Sequence, residues 1–262
     1  MLFRLLFIAL LALTPSLVWA QAENPLTPPS HADDEYADIT WGNLARTLVR
    51  LNALNLTDAT LLDQYAVVTE CELYKAYYRD DFKWNQVRQA VKTSVKQNIA
   101  TFPVSYHFDL PIQIQRYDFN TKAFSFTNGT NLNNVNTFVL FQTQSKGCGN
   151  QAAHDIPHNF RAVLSSPLFI ENFPMPEKEA KNLLEQMKED NNTDRILTAS
   201  FNLRILYIEP WRRIENPTPG GVFHYQQPTI KDAVFIHMEA RLDSIDFYED
   251  KERTHLVYHY EP

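Results

Sequence analysis

The chain has 262 residues, 44% of them hydrophobic and 13% aromatic, with a formal charge of −7. That length and apolar content support a buried core and argue against disorder. The acidic balance repels phosphate, which argues against a general nucleic-acid role and against docking on anionic lipid.

Residues 1–20 read as a signal peptide: Arg4 supplies a basic start, residues 5–13 an apolar run, and Val18 and Ala20 the positions a signal peptidase reads. A cut after Ala20 is predicted, with Ala22 as the competing site. The run is shorter than the roughly 20 residues a permanent membrane helix needs, and no later window reaches that length. A periplasmic or secreted protein is therefore expected, with no transmembrane helix once the leader is gone. Residues 21–35, with Pro25, Pro28 and Pro29, read as a flexible linker.

The remainder, 36–262, is expected to form a single α+β domain: a helical subdomain over 36–102 packed on a mostly antiparallel sheet or sandwich over 103–262, with one inserted helix. Trp41, Leu44, Ala45, Leu48 and Leu51 recur at helical spacing. Thr57-Asp58 marks a helix start, and Leu61, Tyr65, Val68, Cys71, Tyr74 and Tyr78 form one stripe beyond it. Asp80 or Asp81 restarts a helix with Trp84, Val87, Val91 and Val95 on its apolar face, ended by Pro103.

From Val104 the period becomes two. Val104, Tyr106, Phe108 and Leu110 predict a half-buried strand that continues through Ile112 and Ile114, with a bulge or an edge position at Pro111. Phe124 and Phe126 lead to a tight turn at Asn128-Gly129. Residues 138–141 are apolar on both faces and read as a central strand. Phe160, Ala162 and Leu164 predict another. Pro176 opens a helix with Ala180, Leu183, Leu184 and Met187 inward and a left-handed end at Asn191-Asn192. Phe201, Leu203, Ile205 and Tyr207 form a strand, as do Val234, Ile236, Met238, Ala240 and Leu242. Leu256, Tyr258 and Tyr260 form the last.

The chemistry is sparse. Six glycines form no phosphate-binding loop, and neither a nucleophile-elbow motif nor a zinc-protease motif occurs. No catalytic residue and no cofactor is therefore predicted. His154 and His158, with Asp155 between them, are candidate metal ligands, but Pro157 breaks the helical pairing and polar loop residues explain them as well. His255 and His259 read as solvent-facing strand residues, His107 and Asp109 as neighbours on one strand face, and Asp80-Asp81 as helix capping. Cys71 and Cys148, the only two cysteines, read as one disulfide in an exported protein. It would close roughly 77 residues and contribute about 4–5 kcal/mol. The alternative is two separate buried thiols. Trp211, Arg212, Arg213, Phe223 and Tyr225 lie in a long Pro-rich connection and are the candidate partner-binding residues, since Trp and Arg often dominate interfaces. Packing of Trp211 and Phe223 back on the sheet is the competing explanation.

Tyr74-Lys75-Ala76-Tyr77-Tyr78, Asp81-Phe82-Lys83-Trp84 and the stretch from Pro111 to Phe119 make the chain resemble an uncharacterised family of exported bacterial proteins. The resemblance covers most of the chain after the leader and implies a bacterial setting, but no activity, cofactor or catalytic residue. The expected function is a non-enzymatic envelope protein that binds a protein partner or serves an envelope assembly. The alternatives are a hydrolase of an envelope polymer or ester, with a metal at His154 and His158, and a small-ligand-binding protein.

Overall fold

In the structure, a computed structural model, residues 36–142, 152–209 and 235–262 are described. The leader and linker lie outside them. After β1 (Ala37–Asp38), Thr40 caps helix α1 (Trp41–Arg50) by accepting the Asn43 N–H at 3.1 Å. Leu44, Ala45 and Leu48 bury the expected stripe. Asp58 caps α2 (Ala59–Thr69), accepting the N–H groups of Thr60 and Leu61. The long stripe expected from Leu61 to Tyr78 is interrupted. Glu70 leaves helical geometry (φ −129°, ψ 49°), and α3 (Cys71–Tyr77) restarts with none of its residues buried. The buried set on α2 is Leu62, Gln64, Tyr65, Ala66 and Val67. Asp80 caps α4 (Asp81–Asn98), whose buried face is Trp84, Val87 and Val91. Arg88 clamps α4 to α2 by donating to both oxygens of Asp63, each at 2.6 Å.

The strands are β2 (Ser105–Asp118), β3 (Ala123–Phe126), β4 (Leu132–Gln142), β5 (Asn159–Ile170), β6 (Asn172–Pro174), β7 (Ile196–Ile208), β8 (Ile236–Tyr248) and β9 (Leu256–Tyr260), with α5 (Glu177–Glu189) between β6 and β7. The class is α+β, with the helices first and a mixed, mostly antiparallel sheet of nine strands among the described residues. Its order is β4-β5-β8-β7-β2-β3-β6, with β1 beside β2 and β9 beside β8; the β5–β8 and β1–β2 pairings are parallel.

Pro111 takes the edge alternative: β2 runs unbroken through it and pairs it with Thr198 of β7, while the other side of β2 has no strand between His107 and Ile114 among the described residues. The register shift lies later, between Ile114 and Tyr117. Asn128-Gly129 makes the expected tight turn, as a single 3-10 turn, and it leads from β3, which pairs with β2 and β6, to β4, which pairs with β5. One detail departs from the expected pattern. β4 lies at the end of the sheet among the described residues and is not central, although Phe138 is wholly buried on its inner face.

One contiguous apolar cluster joins helices and sheet. The Thr47 hydroxyl donates to Pro103 O at 2.7 Å and touches the Tyr106 hydroxyl, which reaches Asn43 O at 2.9 Å. This satisfies the polar atoms where α1 lies on β2. Phe108, Phe138 and Phe201 form one aromatic group with centroids 5.0–5.6 Å apart. Phe126, Phe173, Phe247 and Tyr258 form another. Phe247 touches the other three rings and has no exposed surface. Phe247→Ala is expected to cost about 3–5 kcal/mol and to lower Tm by roughly 6–20 °C in thermal denaturation. A shift below about 2 °C would show that this cluster does not hold β8, β3 and β9 together.

Candidate functional site

A concavity follows from how β8 changes neighbours. β7 flanks one edge of β8 along most of its length. On the other edge, β5 runs parallel from Phe160–Ile236 to Leu164–Ala240. β5 then leaves to stay beside β4, as Leu168 pairs with Val135 and Ile170 with Leu132. β9 takes its place only from Ile245 onward. Between Ala240 and Ile245 this edge of β8 has no strand beside it among the described residues. Diverging strands leave backbone groups that need other partners. A cleft of about 590 Å³ opens there, walled by Leu164, Ser165, Ser166, Pro167 and Leu168 of β5, by residues 240–243, and by Tyr260 and Glu261. At its apex the Ser165 hydroxyl donates to Ala240 O at 3.2 Å.

A bulge aims the charged wall. Asn202 faces Ser244 and Leu203 faces Leu242, so Asp243 is the extra residue. Its carboxylate accepts from Arg241 Nε at 2.9 Å and from the Tyr36 hydroxyl at 3.1 Å, and Arg204 Nε stands 3.8 Å away. The cleft thus combines an apolar floor with two guanidiniums, two carboxylates and a strand edge.

Behind it, His259 Nδ1 meets Asp246 Oδ1 at 2.5 Å, and His259 Nε2 faces Glu261 Oε1 at 3.3 Å. Asn202 Nδ2 donates to Ser244 Oγ and to Asp246 Oδ2. Burial pulls the His259 pKa down, but the hydrogen bonds and charges of Asp246 and Glu261 outweigh it and leave the pKa raised. A hydrolytic relay needs the second imidazole nitrogen to face a hydroxyl or thiol; here it faces a carboxylate.

The structure relocates several expected residues. His259 is largely buried (side chain 18% exposed), not solvent-facing, while His255 lies outside β9 beside Asp250. His107 pairs with Asp38 and Asp109 with Arg253, so these two do not pair with each other. Asp80 is a helix cap, as expected. His154 Nδ1 engages Asp155 at 2.9 Å, and Gln64 Nε2 donates to the same carboxylate. His158 stacks edge-on against Trp41, and burial pushes its pKa down. No group of three metal-binding side chains occurs among the described residues. Cys71 opens α3. Cys148 and the partner-binding candidates Trp211, Arg212, Arg213, Phe223 and Tyr225 lie outside the described residues. No described helix is long and apolar enough to cross a membrane. The sequence reading missed Asp243, Asp246, Arg204 and Arg241. Their signal was the alternation Ile245, Phe247 beyond Leu242, out of phase by one residue.

Residues 58–186 match the model of a family described as a domain of unknown function (DUF4852). The expectation of an uncharacterised family is met over that span. Neither a curated protein nor a solved structure matches the chain. The matched span ends within α5, so it contains the β5 wall of the cleft but not β7, β8 or β9.

The raised His259 pKa fixes a sign. The protonated imidazole is favoured in the folded state, so its contribution is complete below the unfolded value of about 6.5 and is lost as pH rises through the folded value. The Tm difference between the native protein and His259→Gln should therefore shrink as pH rises from about 6 to about 9. His158 and His237, whose pKa values are lowered, act in the opposite sense but equally in both proteins. A difference that stays flat with pH would refute the assignment.

Proposed function

We propose that this is an exported, non-enzymatic binding protein of the bacterial envelope, and that it holds a protein partner by a short extended segment laid in the cleft between β5 and β8. The observation that carries this reading is the stretch of β8 between Ala240 and Ile245 that has no strand on this edge among the described residues. An extended peptide gives main-chain hydrogen bonds to such an edge, while pockets beside it sort alternate side chains. Leu164, Leu168 and Leu242 offer an apolar floor, and Arg241 with Asp243 a charged wall that can meet a peptide of either polarity. The cleft volume lies in the range used by ligand sites. A partner also gains from the apolar surface on α3 and the start of α4, where Tyr78 and Phe82 are exposed by 50% and 86%. Export rests on the leader-like residues 1–20, and in that compartment Cys71 and Cys148 form a disulfide; the support is that Cys71 is not a free thiol.

A photo-crosslinking amino acid at Ser166, on the cleft wall, should give one discrete adduct in intact cells. The same group at Lys92, exposed on α4, should not. Arg241→Glu should remove the Ser166 adduct with Tm changed by less than about 2 °C, since Arg241 is 58% exposed. Equal adducts from both positions, or none from Ser166, would count against the cleft. Recovery of the protein from the periplasm or medium with Gln21 or Glu23 as its first residue supports export; an intact leader in the cytosol overturns it.

A further inference from the structure

Arg161 lies on β5 directly beside His237 on the parallel strand β8, both on the face opposite the apolar core. Adjacent strands stand about 4.8 Å apart, so the two side chains rise together. Arg161 is only 3% exposed. Its guanidinium carbon sits 3.9 Å from the ring centroid of Phe235, itself buried. Arg161 Nε and His237 Nε2 are both shielded from water and have no hydrogen-bond partner. Burial, with no opposing charge, pulls the Arg161 pKa down, and burial together with the Arg161 charge does the same to His237.

A ring face attracts a cation but accepts no hydrogen bond along the guanidinium plane. A buried guanidinium cannot shed its proton near neutral pH, unlike a buried lysine or histidine. It therefore calls for an anion. Two orphaned nitrogens on neighbouring strands of one face match the spread of two oxygens on a single small anion. From these placements we propose that Arg161 and His237 form a binding site for a small oxyanion, a phosphate or sulfate group or a ligand carboxylate, next to Phe235. The site is separate from the cleft and independent of the peptide reading: along the same face of β5, Arg161 precedes Ser165 by four residues. The competing partner is Glu209, which is exposed, donates its N–H to His237 O at 3.1 Å, and has a charge that reaches His237.

The full mature protein is freed of multivalent anions and melted in chloride buffer at constant ionic strength, with increasing phosphate in one series and acetate in another. Tm should rise with one of them, by about 5–10 °C once the anion stands about a hundredfold above its Kd. A response to phosphate alone points to phosphoryl or sulfate ligands, and a response to acetate to a carboxylate. Arg161→Met should abolish the response and melt at or above the native protein in anion-free buffer, because an unpaired buried charge has been removed. Glu209→Gln should keep the response. Equilibrium dialysis of labelled phosphate or acetate against the native protein should show one site per chain, whether or not the variants fold. The proposal fails if neither anion is bound or raises Tm, if Arg161→Met responds like the native protein, or if Arg161→Met and Glu209→Gln are equally destabilised in anion-free buffer, which would make Glu209 the structural counter-charge.

Discussion

Five residue pairs of parallel strand hold the two parts of this sheet together. β4 and β5 form one antiparallel unit, and β7, β2, β3 and β6 extend the other from β8. Among the described residues, only the pairing of 160–164 with 236–240 joins them. A parallel seam sets the direction in which both strands leave it, and each leaves toward the neighbour it already has. β5 follows β4, and β8 follows β7. The cleft is the geometric result of that parting, and Arg161 and His237 sit within the seam itself. Ligand crevices in sheets tend to open beyond the carboxyl ends of parallel strands where neighbours change; here the same logic acts on a single parallel pair.

Much of this fold was legible because helices and strands announce themselves by period. α1, α4 and α5 bury the stripes their spacing indicates, and Asn191 takes the left-handed conformation (φ 56°) that ends α5. What was not legible lies where the period slips. Leu242 and Ile245 both face the core, three residues apart, because Asp243 is a bulge. An alternation read from Met238 therefore stops at Leu242, and the second half of β8 disappears with it. The same slip separates Ile114 from Tyr117 on β2. On α2 and α3 the fault runs the other way. A regular stripe crosses Glu70, but the backbone does not follow it, and the aromatic residues beyond the break stay near the surface.

The candidate site was hidden for a second reason. Polar residues that alternate with apolar ones are read as solvated, which holds when the second face of a sheet meets water. Ser105, Ser200, Ser244 and Asp246 are all at most 8% exposed. Their burial depends on contacts distant in sequence: β9 brings His259 over Asp246, and Arg253 reaches Asp109. No local pattern carries that information. His259 carried a signal only as a histidine, and strand alternation alone read it as solvent-facing, with nothing local to point to Asp246.

The way these polar groups are paired also bears on what the protein does. A catalytic group is held with one bond left for the substrate. Asp246 orients His259 as a relay carboxylate would, yet Glu261 occupies the nitrogen on which proton transfer would run. Two carboxylates around one imidazole favour its charged form, which can donate but not accept a proton. Such an arrangement fixes β9 against β8 and so closes the end of the cleft at Ile245 without supplying a base to it. The open valences lie elsewhere: on the strand edge that lost β5 before it gained β9, and on a guanidinium enclosed beside a phenylalanine ring. On the proposed reading it is these groups that meet a ligand, and their arrangement among the described residues is the support for proposing a binder in place of a hydrolase.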